Sequence, residues 1–202
     1  MSPRAYQLGR RQLAVDPTRD CIVAAAREIL DAGDPFTIDA VARKANVARM
    51  TVYYQFESKV GLLEALCDSL AASGGMRHLG AALDNPDPLA GLAELVTVFA
   101  RFWDSARRVT RRLHALAALD ADFEEVIRLR NERRRHHLAA LLPRISAQHG
   151  LPAPEDLGDA VDVLFTLISF ETFDSLAGPT RTFKQVAPRV HRLARAALGL
   201  PL

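Results

Sequence analysis

Thr37–Lys59 reads TIDAVARKANVARMTVYYQFESK, and this stretch decides the fold. Thr37 suits the N-cap of a short helix expected over Ile38–Ala45. A tight turn at Asn46-Val47 leads into a second short helix, Ala48–Gln55, and Ser58 then caps a long helix running to about Leu79. Two short helices joined by a three- or four-residue turn make a helix-turn-helix pattern. Its second helix has two faces. Val52 and Phe56, four residues apart, can pack against Ile38, Val41 and Ala42. Met50, Thr51, Tyr53 and Tyr54 spread over the other face, with Arg49 at its rim. A face of that chemistry suits phosphates and base edges in a major groove about 12 Å wide. Lys59 adds a cation beside backbone N–H groups that already favour phosphate.

Working outward, Pro17-Thr18 opens a first helix with apolar positions Ile22, Ala25, Ala26, Ile29 and Leu30. Gly33, followed by Pro35, should end it. Before it lies a polar arm, residues 1–16, expected to be flexible and basic, with Arg4, Arg10 and Arg11 ahead of Asp16. After the fourth helix, Gly80–Pro88 is the clearest break. Pro88–Ser105 follows with Leu92, Leu95, Val96, Phe99 and Phe102 on one stripe. Arg108–Leu119, Asp120–Gln148, Asp156–Ala177 and Lys184–Leu198 complete nine expected helices, with Pro143 expected to kink or end the seventh. No segment reads as a strand and no repeat is present, so the fold class is all-α.

Of 202 residues, 49% are apolar and 25% charged, enough for a real core. The net charge of +2 is too mild for a protein that coats polyanions. No apolar run approaches the roughly 20 residues that span a bilayer, and the start carries no signal-peptide core. Cys21 and Cys67 match no metal or redox spacing, which points to a reduced, cytoplasmic setting. A nucleophile elbow, a phosphate loop and a paired-carboxylate motif are all missing, so neither an enzyme nor a cofactor is expected. Arg far outnumbers Lys, which occurs only at Lys44, Lys59 and Lys184, a composition that fits a GC-rich bacterial genome.

The Thr37–Lys59 stretch resembles the DNA-binding segment of the TetR family of bacterial transcriptional regulators. The family's pattern falls on Thr37, Val41-Ala42, Ala45–Ala48, Thr51-Val52-Tyr53, Phe56 and Ser58-Lys59. The layout also matches: about 200 residues, three helices for DNA and the rest for ligand and dimer. The resemblance implies a helix-turn-helix domain over 17–60 and an effector-binding, dimerising domain over 61–202. It assigns phosphate contacts to Thr37, Tyr53, Tyr54 and Lys59, and places Arg49, Met50 and Thr51 nearest base edges. Four positions depart from the pattern. Asn46 replaces the usual turn Gly, Ala48 a capping Ser, Gln55 a common His, and Val60 the Glu after Ser-Lys. Asn tolerates left-handed backbone. Losing the Ser cap costs about 0.5–2 kcal/mol.

Ligand candidates cluster in Leu92–Phe123, where Phe99, Phe102, Trp103, His114, Leu116 and Phe123 supply most of the large rings before the C-terminal helices. Phe170 and Glu171 extend the set; the ordinary fate of each ring is core packing, and of Glu171 a pairing with arginine. Val163–Phe170 is apolar nearly all round, so it needs cover on two sides. Its own domain supplies one, and a second subunit is expected to supply the other through Val161, Leu164, Phe165 and Ile168. His136 and His137 point about 100° apart on a helix and form no metal pair. They are expected at a solvated surface or an interface, and Arg133–Arg135 on a solvated face. The resulting expectation is a homodimeric repressor of a palindromic DNA operator, released by a small apolar or aromatic effector. The competing expectation is a ligand-independent DNA-binding adaptor whose second domain binds a partner protein.

Overall fold

The computed structural model describes residues 16–150 and 156–201, so the expected basic arm, apart from Asp16, lies outside the described residues. Eleven α-helices and no strand occur among them: α1 Pro17–Ala32, α2 Ile38–Lys44, α3 Arg49–Phe56, α4 Lys59–Ser73, α5 Leu79–Leu83, α6 Pro88–Ser105, α7 Arg107–Ala117, α8 Ala121–His149, α9 Leu157–Leu167, α10 Phe170–Ala177 and α11 Phe183–Ala197. A single 3₁₀ turn, Met76–His78, precedes α5. No helix among these residues is long and apolar enough to cross a membrane.

The structure departs from the expected helices at two places: the fourth ends early and a short helix, α5, stands in the expected break over 80–88, and the eighth is divided in two. The fourth ends at Ser73 because Gly74-Gly75 breaks it, Gly75 taking a left-handed φ of 85°. A Cβ on Gly74 would sit 2.7 Å from Phe102 Cδ2, so the end of α4 approaches α6 as only glycine allows. The segment expected as Asp156–Ala177 breaks at Ile168-Ser169. The Ser169 hydroxyl caps α10 by accepting from the Thr172 N–H, and the Trp103 indole N–H donates to the Ile168 carbonyl at 3.0 Å. The break therefore leaves neither end orphaned. Helix α8 runs through Pro143 to His149 without ending there.

Two apolar cores result. The first joins α1–α4 to Ala106, Val109 and Leu113 around α7 and to Phe123 and Val126 of α8. The second is built from α5, α6, α9–α11 and the later part of α8. Phe102 packs against both. The first core crosses residue 60, because α4 begins at the helix-turn-helix unit and buries Leu62, Leu63 and Leu66 beneath it.

Polar clamps fasten the first three helices to the rest. Arg108 donates to the Asp31 carbonyl at 2.8 Å and Arg112 to the Gly33 carbonyl at 2.5 Å. Both place a cation at the C-terminus of α1, the negative end of its dipole. At the head of α4, the Lys59 ammonium lies 2.5 Å from Asp120 and 3.4 Å from Asp122 at the start of α8. Phe36 meets Phe123 edge-on behind that pair, ring centroids 5.3 Å apart.

Candidate DNA interface and effector cavity

The turn before α3 forms as its residues dictate. Asn46 takes a left-handed φ of 54°, and Ala48 caps α3 without a side-chain hydrogen bond. Val52 and Phe56 are buried in the first core. Met50 and Tyr54 stand out from the opposite face, 73% and 86% exposed. Arg49 is exposed, reaching Asp39 at 3.2 Å and lying over the Tyr53 ring. These contacts raise its already high pKa, so it is a permanent cation on this face. Thr37 is exposed at the head of α2, its oxygen accepting from the Ala40 N–H at 3.1 Å. At the far end of α3, Arg19 donates to the Gln55 carbonyl and lies over the Phe56 ring at 4.3 Å. Gln55 donates to Asp16 at 2.7 Å, which helps hold that carboxyl below its ordinary pKa.

Lys59 is placed differently from the expectation of a phosphate contact. Only 21% of its side chain is exposed, and its charge is committed to Asp120 and Asp122. The reason is positional: the N-terminus of α8 delivers two carboxylates to the head of α4. The lysine is a tie between the two halves of the chain.

Between α4, α6, α7 and α8 lies a cavity of about 410 Å³. Leu70, Phe99, Phe102, Trp103 and Leu113 form its apolar walls. His114 lies on it, and buried Thr110 adds a hydroxyl. Four of the eight expected ligand residues thus meet here: Phe99, Phe102, Trp103 and His114. Phe170 lies behind them, edge-on to Trp103 and 5.4 Å from the His114 ring. Glu171 accepts from His114 Nδ1, which holds its carboxyl down at about 2. Leu116 and Phe123 correct the expectation. Both pack in or against the first core, because the turn between α7 and α8 carries them away from the cavity and under α4.

Helix α8 supplies a wall the sequence reading missed. Arg130, Asn131, Arg134 and His137 line the cavity. The expectation that Arg133–Arg135 face solvent fails at Arg134, which is 6% exposed, and His137, expected at a solvated surface or an interface, is half-buried on the cavity wall. Burial, and then neighbouring His136, lower the His137 pKa. A signal was available. Val126, Arg130, Arg134, Leu138 and Leu142 recur every four residues, so two arginines occupy positions of a buried stripe.

The expected dimer residues also divide. Leu164 and Ile168 are wholly buried in the chain's own second core and present nothing to a partner. Val161 and Phe165 are half-buried, and Phe165 is covered by Arg134 and Arg135 at 4.2 and 4.0 Å. The outward side of α9 instead carries Val163, Thr166 and Leu167, which share a shallow groove with Leu193 and Ala197 of α11. The helix is rotated from the expected setting, because the side of α9 that carries Leu164 packs into the second core against α8 and α11.

A helix-turn-helix with one exposed face is joined through α4 to a larger helical body that holds a cavity, which places the chain among the helix-turn-helix proteins. Residues 22–66 match the model of the bacterial regulatory proteins of the tetR family. A sequence comparison with curated proteins finds no match. Solved structures share the fold over about nine-tenths of the chain. A TetR-family transcriptional regulator from Rhodococcus sp. superposes with a TM-score of 0.71 at 14% identity, covering 91% of this chain and all of its own. The fatty acid degradation regulator FadR from Bacillus halodurans gives 0.69 at 18%, covering 91% and 96%. FadR from Bacillus subtilis, solved in complex with stearoyl-CoA, gives 0.69 at 15%, covering 87% and 96%.

Proposed function

We propose that this protein is a homodimeric transcriptional repressor that leaves a palindromic operator when a small molecule fills the cavity between α4 and α8. The observation that carries the reading is the position of α4. Its first turn abuts the end of the reading helix, where a Cβ on Gly61 would lie 2.1 Å from the Phe56 carbonyl oxygen. Further along, Cys67, Leu70 and Ala71 line the cavity. One rigid element therefore touches both sites. A ligand that displaces α4 or α8 changes the angle at which α3 is presented, and the Lys59–Asp120 pair transmits the shift. Allosteric couplings of 1–3 kcal/mol change affinity roughly 5–150-fold.

On this reading Arg49, Met50 and Thr51 read base edges, and Thr37, Tyr53 and Tyr54 hold phosphates. The groove of α9 and α11 packs on its copy, spacing two reading helices about 34–36 Å apart. The adaptor alternative calls for a filled core and leaves the cavity without a purpose. That a structure of this fold was solved with stearoyl-CoA supports the use of the helical body for an effector. Selection of bound duplexes from a random pool tests the reading. A palindrome with half-sites about one turn apart is expected; recovery without a consensus at moderate salt would refute it.

A further inference from the structure

Three arginines of α8 line the cavity, and two of them are neutralised from outside it. Arg130 donates to Asp68 at 2.6 Å and to the Glu64 carbonyl at 2.9 Å, and Arg133 lies 3.7 Å from the Glu64 carboxylate. Arg134 is different. Its guanidinium lies between the rings of Phe165, at 4.2 Å, and Trp103, at 5.7 Å. Nη2 donates to Asn131 Oδ1 at 3.1 Å, while buried Nε has no partner among the described residues. No carboxylate there pairs with it; Glu171, whose charge acts on it, is held by His114. Burial pushes the Arg134 pKa down to about 10, which still leaves it charged at neutral pH.

A buried cation without an anion is costly, and a guanidinium with unused donors matches a carboxylate's two oxygens. We propose that Arg134 is the anion-binding residue of the cavity, and that the effector is an apolar molecule ending in a carboxylate. The aromatic walls take the apolar body, and Arg134 supplies the charge the ligand lacks. The assignment rests on the effector reading above and narrows it from apolar molecules in general to apolar acids.

Trp103, the chain's single tryptophan, lies on the cavity wall beside Arg134, so its emission reports binding directly. Wild-type protein is titrated with decanoate, decanol and decylamine, and in parallel with the aromatic pair 1-naphthaleneacetate and 1-naphthaleneethanol. At least one carboxylate is expected to bind about tenfold or more tightly than its matched alcohol, and decylamine more weakly than both. R134M is expected to abolish the preference, keep alcohol binding, and hold or raise the Tm, since it removes an unpaired buried charge. Should R134M not fold, R134K keeps the charge without the fork and should bind the carboxylate more weakly than wild type, yet still ahead of the alcohol. Equal binding of acid and alcohol by wild type would overturn the anion site and leave the effector cavity standing. No response to any probe would overturn both. A carboxylate that binds through Arg134 without altering operator affinity would uphold the anion site and refute the effector reading.

Discussion

Side chains of α3 separate stability from reading. Phe56 is buried beneath Val41 and Val52 in the first core, whereas Tyr54, two residues earlier, touches little of its own chain. Phe56→Ala should cost about 3–5 kcal/mol in denaturant unfolding, the usual loss for a buried aromatic. Tyr54→Ala should change stability by no more than about 0.5 kcal/mol, yet weaken operator binding in a fluorescence-anisotropy titration. A variant at Tyr54 that unfolds the protein would refute this division. Glu171 gives the pH prediction. Its native value of about 2 lies below the ordinary 4.5, chiefly through the hydrogen bond from His114. A depressed carboxylate stabilises the native state above its unfolded value and loses that contribution as pH falls through the native one. The Tm gap between wild type and Glu171→Gln should therefore be present at pH 6 and shrink from about pH 4.5 towards pH 2. With 60% of the side chain exposed, solvent screening keeps the gap small.

At the scale of helices, two glycines make opposite predictions. Gly61 lies in the first turn of α4, and a Cβ there meets the fixed Phe56 carbonyl, which no rotamer change relieves. Gly61→Ala should force α4 away from α3, cost about 1–3 kcal/mol as overpacking does, and lower operator affinity with it. Gly80, inside α5, has nothing within 4 Å of a Cβ. Gly80→Ala should stabilise by about 0.5–1 kcal/mol through helix propensity alone. Thermal melts of the two variants, side by side, check the pair; a rise for Gly61→Ala would show that the α3–α4 approach is looser than its geometry indicates.

For the whole molecule, the two halves share the first apolar core, and polar ties reinforce it: the arginines of α7 on the end of α1, and Lys59 on the start of α8. Lys59→Met keeps the apolar stem but discards the ammonium, which lies 5.0 Å over the Phe123 ring and is shared with Asp120 and Asp122. It should leave both cores folded, lower the Tm slightly, and reduce the ligand-induced change in operator affinity to less than about fivefold, the lower end of ordinary coupling. Measurement of operator affinity with and without saturating ligand, in wild type and variant, decides it. An unaltered ratio would mean that α4 transmits without this tie.

The sequence by itself determined the local events. Thr37, Asn46 and Ser58 place caps and turn, Val52 and Phe56 choose the buried face of α3, and the result is a DNA-reading unit legible without any tertiary information, because each signal acts within a few residues. The nine expected helices became eleven, one by a short helix in the expected break over 80–88 and one where long-range contacts divide the eighth. Gly74 is dictated by Phe102 and the break at Ile168 is satisfied by Trp103, neither of them a near neighbour in sequence. Which rings face the cavity and which face the core was a tertiary decision. Phe99 and Phe123 are equally apolar, and only the packing of α7 and α8 sends one to the cavity and the other under α4. Arg134 combined both kinds of information. Its place in a buried stripe was written in the four-residue spacing, but the lack of a partner acid depends on which carboxylates the fold delivers to its neighbours instead.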